Sequence, residues 1–86
     1  MPYYVYILQS RKNRQFYIGS TADVGRRLED HKRGKVRSTR LYRPHDLVFS
    51  AQYESRQEAY KRERKIKRYK GGEAFRRLLN NRSGVV

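Results

Sequence analysis

Two tyrosines, Tyr6 and Tyr17, combine a reactive hydroxyl with positions in two neighbouring apolar segments. The segments 3–9 and 15–20 are rich in aromatic and β-branched residues, and the stretch between them holds an asparagine and three cations, which predicts a β-hairpin. With a four-residue loop over residues 10–13, Tyr6 lies directly opposite Tyr17 and both phenols leave the same face. A phenol can act as a general base toward water, but its ordinary pKa of about 10 requires help from a cation, a metal or a proton acceptor.

The alternation of a strand sorts the rest of the hairpin into two faces. The face with the tyrosines carries hydroxyls and is where chemistry could occur. Gly19 lies on the second strand, two residues after Tyr17, and we expect it to let a ligand or another backbone approach closely. The residues that point the other way form an apolar core: Val5, Ile7, Phe16 and Ile18.

Arg27 and His31 form a second pair, four residues apart on a predicted helix over residues 24–33. Thr21 or Asp23 can cap this helix. Residues four apart share one flank of a helix, and this flank borders the apolar stripe, so we expect both side chains to face the hairpin. A guanidinium fork fits the edge of a phosphate, and an imidazole can accept a proton.

A further candidate is Glu63, on a second predicted helix over residues 55–70. Ala59 and Ile66 mark the inward side of that helix, and Glu63 falls on the same side. Its partner could be Lys67, four residues later, or a cation of another helix. The functional alternative is an oxygen ligand for Mg²⁺ or Mn²⁺, hard cations that accept one or two carboxylates together with water and phosphate.

Charge indicates the kind of partner. The chain has 22 Lys and Arg against 8 Asp and Glu, a formal net charge of +14, which favours a polyanion such as nucleic acid. No apolar run approaches the roughly 20 residues of a membrane span, and no signal-peptide pattern begins the chain, so we expect a cytoplasmic protein without a membrane partner. The absence of cysteine excludes disulfides and thiolate chemistry. Four cations of the 34–44 segment are predicted phosphate contacts: Lys35, Arg37, Arg40 and Arg43.

The remaining elements complete a small α+β fold. Residues 46–54 alternate as a third strand, with Leu47 and Phe49 on one face and Val48 on the other. Ser55 and Glu58 form a capping box, which accounts for Glu58, the alternative carboxylate for a metal. We therefore predict a three-stranded antiparallel sheet flanked by helices, in the order β-β-α-β-α-α.

The length of 86 residues suits one domain, which we place at residues 1–80, with a polar tail over 81–86. Near its end, a short third helix is predicted from three apolar residues at helical spacing: Phe75, Leu78 and Leu79.

The candidate residues also form an ordered set of motifs. The segment Tyr4-Val5-Tyr6 precedes Tyr17-Ile18-Gly19. A helix over 21–31 follows with the arginine and histidine, and a segment over 59–67 then carries the glutamate. In order and spacing they resemble the GIY-YIG nuclease family, with the first glycine of the motif replaced. The likeness is closest to the small stand-alone bacterial members, and it extends to the nuclease domain of the excision-repair endonuclease subunit.

The resemblance implies a metal-dependent endonuclease that hydrolyses DNA phosphodiester bonds and leaves a 5′ phosphate. It favours Tyr6 as the general base and Tyr17 as the residue that orients water or phosphate. Without an added recognition domain, we expect low sequence specificity or selectivity for DNA structure, as in DNA repair, and possible reliance on a partner protein or a homodimer. The implied catalytic residues are Tyr6, Tyr17, Arg27 and His31, and the implied ligand of Mg²⁺ or Mn²⁺ is Glu63.

Two alternatives stay open. The chain could be a basic nucleic-acid-binding protein that keeps the scaffold without catalysis, or its substrate could be RNA. Ser38 and Thr39 stand where family members often carry a bulkier or more basic residue, and Tyr4 replaces the first glycine.

Overall fold

The computed structural model describes residues 2–68 and 72–80. Its elements confirm the predicted α+β class and the order β-β-α-β-α-α, and the antiparallel sheet has the strand order β2-β1-β3. The 34–44 segment also holds a 3-10 turn at Arg40–Tyr42. None of the helices in the described ranges is long and apolar enough to cross a membrane. The bounds are β1 Tyr3–Ser10, β2 Phe16–Thr21, α1 Val24–Lys32, β3 His45–Tyr53, α2 Arg56–Arg68 and α3 Glu73–Asn80.

The turn between β1 and β2 starts one residue later than the sequence predicts. The backbone N–H of Ser10 donates to the carbonyl of Gln15 at 2.9 Å, so Ser10 is the last residue of β1. The Ser10 hydroxyl accepts the backbone N–H groups of Lys12 at 2.9 Å and Asn13 at 3.1 Å. Arg14 takes the left-handed conformation, with φ of 65°. A serine side chain that satisfies turn N–H groups is the local reason for this placement.

The later turn changes the partner of each tyrosine. The predicted pairing of Tyr6 with Tyr17 is wrong, because Tyr6 lies opposite Gly19 and Tyr17 lies opposite Leu8. A shift of two residues leaves every side chain on its original face, since the alternation has a period of two. Both phenols therefore still leave the same face of the sheet.

The other face of the sheet is covered by α2 and α3. Phe16, predicted to be core, is half-buried and meets Phe75 of α3 edge to face, with ring centroids 4.9 Å apart. The buried cluster combines strand and helix residues: Val5, Ile7, Ile18, Phe49, Ala59, Ile66 and Phe75.

A bulge in β3 corrects the predicted alternation of that strand. Phe49 pairs with Ile7, but the next pair towards the strand start is Leu47 with Leu8, so Val48 is the extra residue. A bulge moves the residues beyond it to the opposite face. Leu47 therefore lies with Leu8 on the tyrosine side rather than with Phe49 in the core.

Helix α1 lies on the tyrosine side. Of the two predicted caps, Asp23 is the N-cap, since its Oδ1 accepts the N–H of Arg26 at 3.0 Å. At the other end Gly34 has a φ of +80°. Its N–H donates to the carbonyl of His31 at 3.1 Å, and the next N–H donates to the carbonyl of Asp30 at 2.9 Å. This is the hydrogen-bond pattern of a Schellman motif, which needs the left-handed glycine.

Ser55 caps α2 as predicted, because its hydroxyl accepts the N–H of Glu58 at 3.2 Å. The predicted continuation of this helix to Lys70, and the tail over 81–86, lie outside the described residues. The predicted third helix is α3, and it buries Phe75.

Candidate active site

Four predicted site residues meet between the hairpin and α1. Tyr6 is 1% exposed, and its phenol oxygen lies 3.0 Å from Nε2 of His31. The Nε of Arg27 donates to the same oxygen at 3.4 Å. The ring of Tyr17 lies 6.2 Å from that of Tyr6 and 5.0 Å from that of His31, centroid to centroid. We call these four side chains, Tyr6, Tyr17, Arg27 and His31, the tyrosine cluster.

The position of α1 brings His31 into the cluster. His31 is the buried residue of α1 at 2% exposure, whereas Val24 and Leu28, the predicted apolar stripe, are only half-buried. Arg27 lies one helical turn earlier, where its guanidinium reaches both the cluster and Asp30, with 3.9 Å between Nη1 and Oδ2. The expectation that Arg27 and His31 face the hairpin is confirmed by these contacts.

Each ring nitrogen of His31 has one hydrogen-bond partner. Nε2 meets the phenol of Tyr6, and Nδ1 lies 2.7 Å from the hydroxyl of Thr39, which also lies 3.4 Å from the carbonyl of Val36. The oxygen of Tyr6 in turn accepts from Arg27. A chain of hydrogen bonds thus runs from Arg27 through Tyr6 and His31 to Thr39, and its direction through the imidazole depends on which ring nitrogen carries the proton.

Burial moves the pKa values of the two central groups in opposite directions. It lowers the pKa of His31 to about 4, with smaller contributions from the charges of Arg27 and His45, so the imidazole is neutral at pH 7. Burial raises the pKa of Tyr6 to about 12, and the hydrogen bond from Arg27 opposes this rise. Arg27 lowers the phenol pKa, as a nearby cation should. Desolvation raises it by more, so the net pKa of Tyr6 is higher than that of an ordinary tyrosine.

Thr39 belongs to the site, although sequence reasoning noted it only as a departure from the family pattern. It is 3% exposed, and its hydroxyl lies 2.7 Å from Nδ1 of His31. A threonine in a basic loop without periodicity gives no signal of burial. A buried polar partner for His31 could have been expected, but not its position.

Gly19 makes room for Tyr6. A Cβ at this position would lie 2.7 Å from the phenol oxygen of Tyr6 and 2.8 Å from its Cζ. The prediction that a ligand or another backbone fills this space is therefore wrong, because the phenol of Tyr6 fills it. Gly19 of the second motif and Tyr6 of the first therefore pack against each other as direct partners across the two strands.

Glu63 lies apart from the tyrosine cluster. It is 8% exposed, and Oε1 accepts the hydroxyl of Ser20 at 2.7 Å while Oε2 lies 2.8 Å from Nζ of Lys67. Ser20 pairs with Val5 and so points to the core face, whereas Gly19 beside it points to the cluster. Among the described residues, no hydrogen bond or ion pair joins Glu63 to the four cluster side chains. The edge strand β2 separates them.

Glu63 offers a hard divalent cation a single carboxylate, and both of its oxygens already have a protein partner, the hydroxyl of Ser20 and the ammonium of Lys67. Within residues 2–68 and 72–80, no group of three or more His, Cys, Asp or Glu side chains gathers around a common point. Mg²⁺ accepts one carboxylate when water and substrate phosphate complete its shell. The ammonium of Lys67 already places a positive charge on this carboxylate. Glu58, the alternative ligand, is exposed at the start of α2.

The predicted phosphate contacts lie in exposed positions between α1 and β3. Arg43 differs from the others because its Nε donates to the carbonyl of Arg40 at 2.8 Å and its Nη1 to that of Lys32 at 3.3 Å. Its guanidinium is therefore held in place, and part of its donor capacity stabilises the end of α1. The other three cations are Lys35, Arg37 and Arg40.

Comparison with known proteins agrees with the fold and the motifs. The chain matches the GIY-YIG catalytic domain over residues 2–74 and belongs to the GIY-YIG family, whose members are generally endonucleases. UPF0213 proteins of Staphylococcus aureus strains Mu3 and N315 are each 40% identical to it over 68 residues, covering 78% of this chain and 82% of theirs. The solution NMR structure of a UPF0213 protein from Bacillus halodurans is similar, with a TM-score of 0.60 and 33% identity over 93% of this chain and 84% of that one.

Proposed function

We propose that this protein is a divalent-metal-dependent endonuclease that hydrolyses phosphodiester bonds in DNA, with residues 1–80 as its nuclease domain. The observation that carries the proposal is the hydrogen-bond chain through Tyr6 and His31 on the same face as Tyr17. The proposal takes the tautomer with its proton on Nδ1, which leaves Nε2 to accept from Tyr6. A family of endonucleases supplies the reaction class. The net charge of +14 supports a nucleic-acid substrate.

Tyr6 and His31 act together as the general base. With a pKa of about 12, a free phenolate of Tyr6 is scarce at pH 7. The phenol therefore passes its proton to Nε2 of His31 as it takes one from the attacking water. The water oxygen bonds to phosphorus while the bond to the leaving 3′ oxygen breaks, which leaves a 5′ phosphate.

Arg27 and Tyr17 complete the machinery on this face. The guanidinium of Arg27 has N–H groups beyond the one on Tyr6, and these stabilise charge on the phosphoryl oxygens. Tyr17 orients water or phosphate beside the base. Thr39 is a positioning residue, because it acts only through the tautomer of His31.

Glu63 would hold the metal, Mg²⁺ or Mn²⁺. A bound metal supplies a Lewis acid for a phosphoryl oxygen and for the charge of the leaving group. In this proposal the phosphodiester crosses the edge strand β2, with the cluster on one face and Glu63 on the other. The loop cations, Lys35, Arg37, Arg40 and Arg43, position the backbone without reading sequence.

The proposal includes low sequence specificity or selectivity for DNA structure, and a role in DNA repair. Reliance on a partner protein or a homodimer belongs to the same proposal, as does a cytoplasmic location.

The test is cleavage of supercoiled plasmid and of a flap-bearing duplex with Mg²⁺, Mn²⁺ or EDTA. We expect metal-dependent nicking that falls at least 100-fold in Tyr6→Phe and in Glu63→Gln, because each removes one element of the machinery and leaves the shape. Glu58→Gln is the matched control and should cut like wild type. If nicking is kept in Glu63→Gln but lost in Glu58→Gln, the metal ligand is Glu58 and not Glu63.

Two observations favour a second candidate, a nucleic-acid-binding protein without catalysis. Lys67 occupies the carboxylate that would hold the metal, and burial raises the pKa of Tyr6 instead of lowering it. This candidate predicts tight binding of DNA or RNA by wild type, no cleavage of either with any metal, and no effect of Tyr6→Phe on affinity.

A further inference from the structure

A small apolar cavity lies beside the tyrosine cluster on the same face of the sheet. Its volume is about 260 Å³, below the roughly 300 Å³ at which pockets for drug-sized ligands begin. Apolar side chains make most of the lining, and two cations, Lys32 and Arg43, stand at its margin. The full lining is Leu8, Leu28, Lys32, Arg43, Pro44, His45 and Leu47.

Three features of the fold create this cavity. The β3 bulge brings Leu47 to this face, where it is 41% exposed beside the buried Leu8. Leu28 of α1 forms a further wall. The guanidinium of Arg43 is fixed by the carbonyls of Arg40 and Lys32, so its free N–H groups have a set direction. The cavity is thus built from anchored residues.

The cavity adjoins the proposed reaction centre. Leu8, on its floor, is the direct strand partner of Tyr17. The ring of His45, in its wall, lies 6.4 Å from that of His31, centroid to centroid. A nucleotide neighbouring a phosphate at the cluster is therefore within reach of the cavity.

We propose that this cavity holds one unstacked nucleobase of the substrate, with the attached phosphate against Lys32 and Arg43. The inference rests on the proposed nucleic-acid substrate and adds its class, which is DNA with an unpaired base near the cut, such as a flap, a bulge or a single strand. A nucleotide joins an apolar base to an anionic phosphate, which matches an apolar cavity with two cations in its lining. A base in a paired duplex is stacked and cannot enter, whereas a base already unpaired enters at lower cost.

Binding is measured with EDTA present, so that no cleavage occurs and the result does not depend on catalysis. The probes are a labelled single strand of about ten nucleotides, the same strand paired with its complement, and the same strand made abasic. Leu47→Ser is the test variant. Leu41→Ser is the matched control, because Leu41 is 69% exposed and does not line the cavity.

We expect Leu47→Ser to weaken binding of the intact single strand roughly tenfold and to leave duplex and abasic binding unchanged. Wild type should bind the abasic strand about as weakly as Leu47→Ser binds the intact one. Leu41→Ser should match wild type throughout. Equal losses on all three probes, or no loss on the single strand, would overturn the proposal.

Lys32→Gln is a second test variant that leaves the apolar walls intact. It should weaken single-strand binding more than Lys65→Gln, which removes the same charge from α2. If Leu47→Ser instead turns a dimer into a monomer in sedimentation and binds all DNA probes normally, the cavity holds a second copy and not a base. Base-dependent binding together with no plasmid cleavage would uphold the cavity and reject the nuclease.

Discussion

At Tyr6, burial and hydrogen bonding act on the phenol in opposite directions. Desolvation raises its pKa to about 12, and the hydrogen bond from Arg27 opposes that rise. The neutral imidazole of His31 lies 3.0 Å from the same hydroxyl, and burial lowers its pKa to about 4. A standing phenolate is therefore scarce at pH 7, and the imidazole is a weak base in the free protein.

His31 makes stability depend on pH. Its pKa is about 4 in the folded protein and about 6.5 in the unfolded chain, so between these values the unfolded state binds more protons. We expect the contribution of His31 to the free energy of unfolding to be complete above pH 6.5. As the pH drops to 4, the free energy of unfolding should fall by up to about 3 kcal/mol. Urea denaturation across this range measures it.

His31→Gln is the control, because glutamine does not titrate and should flatten most of this slope. A smaller slope of the same sign should persist, since burial also lowers the pKa of His45. An unchanged slope in the variant would show that other groups cause the dependence.

Gly19→Ala should displace the phenol of Tyr6, because the new methyl would lie 2.7 Å from its oxygen. We expect a loss of about 1–3 kcal/mol in stability and a strong loss of nicking. Gly25→Ala is the matched control in α1, where a Cβ would meet only Asp23 Oδ1 at 3.6 Å. It should stabilise the protein by about 0.5–1 kcal/mol and leave nicking unchanged. Thermal unfolding and plasmid assays compare the two.

At the scale of elements, the edge strand β2 divides the proposed machinery. Gly19 faces the tyrosine cluster, and Ser20 next to it faces α2, where its hydroxyl holds Glu63. One strand thus sets the distance between the base and the carboxylate. The cation on that carboxylate comes from α2 itself, because Lys67 lies one helical turn after Glu63.

Lys67→Met should expose Glu63 to metal. Because an ammonium and a divalent cation compete for the same oxygen, we expect Mn²⁺ to bind more tightly in this variant, as measured by calorimetry or electron paramagnetic resonance without DNA. Lys65→Met removes the same charge from an exposed position on α2 and should leave Mn²⁺ binding near wild type. Stability should change by less than about 1 kcal/mol, since the ion pair is half-exposed on the Lys67 side. Equal affinities in the two variants would remove Lys67 as a competitor.

At the scale of the whole molecule, positive charge covers both sides of the sheet. The loop cations border the cluster, while α2 carries a second exposed set on the opposite side. In the described part of the chain, no ion pair neutralises this second set. Its members, spaced along one stripe of the helix, are Lys61, Arg64, Lys65 and Arg68.

The salt dependence of DNA binding separates the two sets. Each phosphate contact contributes about 0.9 to the slope of log K against log salt on duplex DNA. We expect the double variant Lys35→Gln with Arg37→Gln to reduce the slope by nearly 2, because these cations lie on the side of the cluster. Lys61→Gln with Lys65→Gln has the same net charge and should reduce it less. A larger reduction from the α2 pair would place the DNA on that helix.

Much of the fold could be predicted because it depends on local patterns. Alternation located the strands, and Asp23 and Ser55 marked the starts of helices through hydrogen bonds from their side chains to near neighbours. The faces of the hairpin followed from the alternation of period two. They were predicted correctly although the turn was placed one residue too early, because the resulting shift in pairing is two residues.

Other features did not follow from the strand and helix patterns. The hairpin register followed from turn hydrogen bonds to Ser10, which are local but leave no mark on strand alternation. Contacts between separate elements decided the rest: a bulge against β1 set the position of Leu47, burial under α1 raises the pKa of Tyr6, and Thr39 supplies the hydrogen-bond partner of Nδ1 of His31. Residue types and spacing determine which groups are available for chemistry, because they are local. Desolvation and hydrogen-bond direction determine how those groups behave, and both exist only once the chain has packed.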